Sequence, residues 1–188
     1  MRLLKNQTKL KKCIHVTEAV MYICSCRSNQ KSTAVQNNIE LVVPGAPLLD
    51  PYTGTAIEEY LLKNLTGQYV MLWCSGTSVV VGKHQNAYAE VDFPFIYRNN
   101  IPVVRRLSGG GTVFHGKGNL NFSFILNGEP GALVDFKKHT APIISFLNKI
   151  GLPASFEGKN DIRIAGLKVS GNAEHVYKNR LLHQGNLL

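Results

Sequence analysis

Cysteine is scarce in this chain and unevenly placed: the four residues are Cys13, Cys24, Cys26 and Cys74, and no thiol follows position 74. Three thiols crowded at one end cannot build a disulfide framework for 188 residues, so a reducing compartment is expected. Acyl transfer through a cysteine thioester also lacks its nucleophile in the second half of the chain. Cys13, His15, Cys24 and Cys26 can be drawn as a zinc knot, but their spacing matches no common finger and turn glycines are missing, so no metal ligands are assigned. No apolar run approaches the roughly 18 residues that a membrane-spanning helix needs, and polar interruptions spoil residues 13–26 as a signal-peptide core. Acidic side chains are few as well, 12 against 21 Lys and Arg. The imbalance is local, because residues 1–37 hold seven basic residues against Glu18 alone. A basic tail on a mildly basic body is not a duplex-binding face, which clusters its cations along one folded surface, so no nucleic-acid partner is expected.

What remains is an ordinary globular composition, 44% hydrophobic and 18% charged, in a chain long enough for one sizeable core. Residues 1–37 are expected to be an unstructured basic extension, with organelle targeting left open, and 38–188 a single folded unit. Thr55 with Glu58 forms a capping box ahead of Ile57, Tyr60, Leu61 and Leu65, predicting a helix from Ala56 to Leu65 that stops at Gly67. YVMLWC and SVVVG read as strands, Pro94 starts a short helix, and Ile101 to Arg106 reads as a buried strand. Leu120, Phe122, Phe124 and Leu126 share one strand face, and Asn119, Asn121 and Ser123 the other. Apolar residues recur at helical spacing from Phe136 to Ile150, DIRIAGLKVSG suggests a hairpin turning at Ala165 and Gly166, and RLLHQGNLL suggests a last strand with an open edge. Strands mixed with a few helices in no strict alternation predict an α+β fold, a mixed or antiparallel sheet flanked by helices.

The richest stretch is RRLSGGGTVFHGKGNLNFS, Arg105 to Ser123, where three glycines lie between paired arginines and a histidine. Gly109, Gly110 and Gly111 can bring backbone amides close to an anion, and Arg105 and Arg106 can fork onto phosphate oxygens. A GxxxxGK[ST] phosphate loop is nearly spelled by Gly111, Gly116 and Lys117, but Gly118 stands where the hydroxyl should be and a strand follows where that loop feeds a helix. A second polar cluster, Asn160, Asp161, Lys168, Ser170, Gly171 and Asn172, lies some fifty residues later. Lys168 sits in an apolar strand, either on a solvated face or as a point charge aimed at phosphate.

These two clusters resemble the lipoate-protein ligase family, whose members carry RRxSGGGxVxHDxGN followed by NDxxxxGxKxSGxA. Upstream, SVVVGKHQNAYAEV is similar to the family's VxxGxxQNxxxE at Gln85, Asn86 and Glu90, and DPYTGTAIEEYLL to its first helix. The resemblance implies a biotin/lipoate-ligase-like, class II synthetase-like catalytic domain that joins lipoate to ATP, with Mg2+ accompanying the nucleotide. Lipoyl-AMP forms as pyrophosphate leaves, and a lysine of an acceptor domain then displaces AMP. On this reading Lys168 is catalytic. ATP and lipoyl-AMP are bound by Arg106, Gly109, Gly110, Gly111, Thr112, Val113, Phe114, Asn119, Asp161 and Lys168. Trp73, Val79, Val81, His115 and His183 enclose lipoate. The implied acceptors are lipoyl domains of 2-oxoacid dehydrogenase complexes or the glycine cleavage H protein. The implied location is cytoplasmic, or mitochondrial in a eukaryotic cell, with no membrane partner.

The match departs from the family pattern at three places. Gly116 replaces an aspartate, Gln184 and Asn186 stand in HQGNLL where relatives show HHGTLL, and the catalytic domain is expected to be incomplete at its C-terminus. A non-catalytic lipoyl-AMP binder and an octanoyl or lipoyl transferase are therefore carried as alternatives. Cys74 has no neighbour in sequence that would activate it, and the GRGRxGRxW-like loop of biotin ligases is missing.

Overall fold

The computed structural model describes residues 39–45, 48–116, 118–128, 131 and 134–188. The basic extension and the Cys13–Cys26 segment lie outside the described residues. Among the described residues ten strands form two sheets. Strands β1 (Ile39–Val42), β2 (Gln68–Cys74), β6 (Leu120–Asn127), β7 (Ala154–Glu157), β8 (Asp161–Ile164), β9 (Leu167–Tyr177) and β10 (Arg180–Leu187) build the larger one. Their order is β1-β2-β6-β10-β9-β8-β7. The β1–β2 pair is parallel and the others are antiparallel. Strands β3 (Ser78–Val81), β4 (Val103–Arg105) and β5 (Val113–His115) form a small sheet with β3 in the middle. The expected α+β architecture is the one observed.

Helices cover both faces of the large sheet. On one side α1 (Pro51–Asn64) packs Leu61 and Leu62 against Tyr69, Met71, Trp73, Ile125 and Leu182. On the other α4 (Phe136–Lys149) packs Ile143, Phe146 and Leu147 against Val70, Leu72, Phe122, Phe124 and Leu181. Alternate residues of β2, β6 and β10 thus serve opposite layers, as a two-residue period requires. Short helices α2 (Ala87–Glu90) and α3 (Phe93–Arg98) follow β3, each opened by a capping side chain, Asn86 and Asp92. The β8–β9 hairpin turns at Ala165 and Gly166, both at positive φ (51° and 77°), the pair of left-handed residues that a tight two-residue turn demands.

Two expectations are corrected. Helix α1 begins at Pro51 rather than Ala56, because Asp50 accepts a bond from the Thr53 amide (3.0 Å) and Pro51 is already set for the first helical turn. Thr55 Oγ1 bonds back to the carbonyl of Pro51 at 3.0 Å, and Glu58 is buried beneath the helix. The last strand, expected to leave an open edge, lies in the interior of the sheet between β6 and β9, and the edges are β1 and β7.

Candidate active site

A cavity of about 230 Å³ opens between the glycine loop and the face of the large sheet beneath α1. Its wall comes from Gly110, Gly111, Thr112, Val113 and His115, and its opposite rim from Asn160, Lys168 and Gly171. Asn121, Gln184 and Asn186 line it from β6 and β10, with Trp73 and Glu58 behind them. Two sequence clusters that lie far apart along the chain therefore face one space.

The glycine loop is shaped by arginine. Arg106, 7% exposed, donates from Nη2 to the carbonyls of Gly109 and Gly111 (2.7 Å each), from Nη1 to Val80 O (3.2 Å) and from Nε to Ser108 Oγ (3.1 Å). Turning these carbonyls inward onto a buried guanidinium fixes the bend of the loop. Arg105 Nη1 likewise donates to the carbonyls of Gly82 and Gln85, 2.8 Å each, tying the loop to the turn after β3. That turn comes so close that a Cβ at Gly82 would lie 1.9 Å from Gly110 O, and Gly110 has φ +91°. Both positions therefore demand glycine.

Lys168 extends along Gly171, whose missing side chain leaves room for the lysine stem, and its ammonium meets Asp161 Oδ1 at 2.8 Å. Arg163 Nη2 is 3.4 Å from the other Asp161 oxygen. The lysine side chain is half-exposed, at 49%, so an anionic ligand can reach it without displacing the hairpin.

Behind the cavity Glu58 accepts bonds from Trp73 Nε1 (3.3 Å) and from Ser123 Oγ. Burial pushes its carboxyl up to about 7, a rise that those two bonds and the charge of Arg106 only partly offset. His115, bonded through Nδ1 to Ser75 Oγ at 3.3 Å, is pushed down to about 4 by burial first and by Arg106 second. Its imidazole is neutral at physiological pH. Thr112 Oγ1, Asn121 Nδ2, Asn172 Oδ1 and Gln184 Oε1 are buried without a hydrogen-bond partner, and all four residues line this cavity. Each such atom costs about 1–3 kcal/mol unless something polar meets it.

Of the residues singled out from sequence, Trp73, Arg106, Gly110, Gly111, Thr112, Val113, His115 and Lys168 line the cavity, with Asp161 beside it through Lys168. Gly109, Asn119 and Phe114 are not among its lining residues, and Phe114 is 56% exposed. Val79 and Val81 are corrected to the other face of β3, packed with Val91, while Val80 between them lines the cavity. His183 is corrected to the α4 side of the sheet, 0% exposed and bonded to Glu174. Sequence reasoning missed Glu58 as a lining residue, because it was assigned to a helix cap.

The profile described as the lipoyl protein ligase A/B catalytic domain matches residues 50–188. The chain belongs to that family. Lipoate-protein ligase LplJ of Bacillus subtilis is 41% identical over 150 residues, covering 79% of this chain and 45% of that protein. The chain thus spans a little under half of this relative's length. Among solved structures, P. falciparum LipL1 in complex with lipoate superposes with a TM-score of 0.70 at 26% identity, covering 80% of this chain and 48% of that one. A bipartite lipoate protein ligase from Thermoplasma acidophilum, studied with its E2 lipoyl domain, gives 0.73 at 25% identity, covering 82% and 62%. Cys74, the free cysteine among the described residues, has its thiol pushed up by burial and so is not activated as a nucleophile in this ligase-family fold. Among the described residues no helix is long and apolar enough to cross a membrane.

Proposed function

We propose that this chain carries the ATP-dependent activation of lipoate to lipoyl-AMP and the transfer of the lipoyl group to a lysine of an acceptor lipoyl domain. The observation that carries this reading is the convergence of the glycine loop and Lys168 on one cavity with unmet polar atoms. Family membership supports it, as do the names of its relatives, which include a lipoate complex and a ligase studied with an E2 lipoyl domain.

In the first step a carboxylate oxygen of lipoate bonds to the α-phosphorus of ATP while the bond to pyrophosphate breaks with its electron pair. Negative charge grows on the non-bridging oxygens, and its stabilisation falls to Lys168 and the amides of residues 110–113, a reading supported by their lining one cavity. In the second step the neutral amine of the acceptor attacks the acyl carbon, AMP leaves with the electrons of the C–O bond, and the amine loses a proton to solvent. Neutral His115 and the buried wall around Trp73 keep competing water from the anhydride. Magnesium accompanies ATP. Asp161 is held by Lys168 and Arg163 and Glu58 is buried under Trp73 and Ser123, so neither carboxylate is a ready ligand for the ion.

The chain incubated with ATP, magnesium and lipoate is expected to release pyrophosphate, and Lys168→Ala to lower that release by about 100-fold or more, as loss of a charge stabiliser at the reacting centre does. Mass spectrometry of an added lipoyl domain then reads transfer. Unchanged release in Lys168→Ala removes the charge-stabilising role. Tight lipoyl-AMP binding without turnover in the wild type favours the non-catalytic relative, the alternative that Gly116 keeps open.

A further inference from the structure

On the face of the large sheet turned away from the cavity, three side chains converge between α4 and the strands β9 and β10. His139 comes from the start of α4, Glu174 from β9 and His183 from β10, where the strand register sets it opposite Glu174. His139 Nδ1 lies 2.9 Å and His183 Nδ1 2.8 Å from the same oxygen, Glu174 Oε1. The three side chains are almost wholly removed from solvent, at 6%, 0% and 2% exposure for His139, His183 and Glu174. Glu174 Oε2 is buried with no partner. One carboxylate oxygen receiving two imidazoles while its twin receives nothing is an unbalanced way to bury a charge.

We infer that His139, Glu174 and His183 form a binding site for a divalent transition-metal cation, zinc foremost, remote from the cavity and not used by the proposed reaction. Two imidazole nitrogens and a carboxylate are a donor set that zinc accepts in tetrahedral geometry. The donor atoms all lie within 4.8 Å of one another. Zinc bonds of about 2.0–2.2 Å put tetrahedral donors roughly 3.3 Å apart, so the 2.8 and 2.9 Å nitrogen–oxygen separations open by about half an ångström on binding. A small rotation of the Glu174 carboxylate supplies that opening, and in a bidentate pose Oε2 becomes the fourth donor. Calcium and magnesium are disfavoured, since they take six or more ligands, nearly all oxygen. The rings of Phe122, Phe124 and Phe136 lie 6.2, 5.9 and 6.1 Å from the His183 ring, and this hydrocarbon shell keeps water from competing for the ion. A cation here cross-links α4 to β9 and β10, the strands whose opposite face lines the cavity through Ala173, Gln184 and Asn186.

The test uses the full chain, stripped with a chelator, desalted and titrated with zinc chloride, with bound metal read by elemental analysis. About one equivalent is expected to survive desalting, and cobalt(II) loading to give the visible absorption of a four-coordinate nitrogen–oxygen site. Glu174→Gln keeps the side-chain shape and is expected to weaken zinc binding by more than about 100-fold, beyond the loss typical of outer-shell partners. His139→Gln carries the same expectation should Glu174→Gln not fold. His84→Gln, an exposed imidazole elsewhere, is expected to change nothing. No retained zinc in the wild type, or equal retention in the folded variants, overturns the site. None of these readings depends on ligase activity.

Discussion

Glu58 and His115 are buried acid and base neighbours of Arg106, and burial moves them in opposite directions with opposite consequences for stability. The carboxyl is raised from 4.5 to about 7, so between those values the folded chain holds a proton that the unfolded chain has released. Stability contributed by protonated Glu58 is therefore whole below about 4.5 and lost as pH rises through about 7. The loss reaches about 3 kcal/mol, since each tenfold change in proton affinity is worth roughly 1.4 kcal/mol. His115 runs the other way: its folded value of about 4 lies below 6.5, so its contribution is whole above 6.5 and lost as pH falls through about 4. In the wild type the two trends largely cancel between pH 4.5 and 6.5. Glu58→Gln keeps an oxygen for Ser123 and Trp73 but cannot ionise. Urea unfolding at a series of pH values is expected to show the variant gaining on the wild type from about pH 4.5 upward, by up to about 3 kcal/mol at pH 8. A stability difference that does not grow with pH would show that Glu58 ionises freely in the folded chain.

At the scale of elements, the start of α1 shows what a local pattern can and cannot tell. Thr55-x-x-Glu58 has the letters of a capping box, yet the true cap is Asp50, five residues earlier, with proline at the next position. Asp50→Ala is expected to cost about 1 kcal/mol, the usual value of an N-cap bond, whereas Thr55→Ala is expected to stay within about 0.5 kcal/mol because its hydroxyl only bonds back along the helix. Equal losses in a denaturation series would reinstate the box. The misreading had a physical source, since Glu58 is claimed by Trp73 and Ser123, 15 and 65 residues away, and no helical window contains them. Strand phase follows the same logic. In β6 the polar residues Asn121 and Ser123 alternate with Phe122 and Phe124, and the face toward the cavity was legible from that alternation. In β3 the run Val79, Val80, Val81 has no polar member, so nothing in the sequence said that Val80 alone turns inward. The glycine loop and the hairpin at Ala165 and Gly166 were legible because backbone geometry there demands particular residues.

For the whole molecule, the site exists only when the small sheet and the far hairpin of the large sheet are both in place. Gly110 to Val113 enter the small sheet at β5, and Lys168 belongs to β9, separated from β2 in the large sheet by β6 and β10. The order of strands, with β10 inside the sheet rather than at its rim, is what brings the two segments to one cavity, and pairing order has no local signature. It follows that a ligand touching both segments should stabilise the fold more than ligands touching one. On the proposed reading a non-hydrolysable lipoyl-AMP analogue would span loop and hairpin, AMP alone would meet chiefly the loop, and lipoate alone would bring no phosphate to Lys168. At 100 times its dissociation constant a single ligand adds about 2.7 kcal/mol, so at equal concentration the analogue is expected to raise the melting temperature well beyond the summed shifts of AMP and lipoate. In Lys168→Ala, with the ion pair to Asp161 gone, the analogue's advantage over AMP is expected to shrink by most of its value. Additive shifts in the wild type, unchanged in the variant, would mean that loop and hairpin bind independently and that their shared cavity is not an adenylate site.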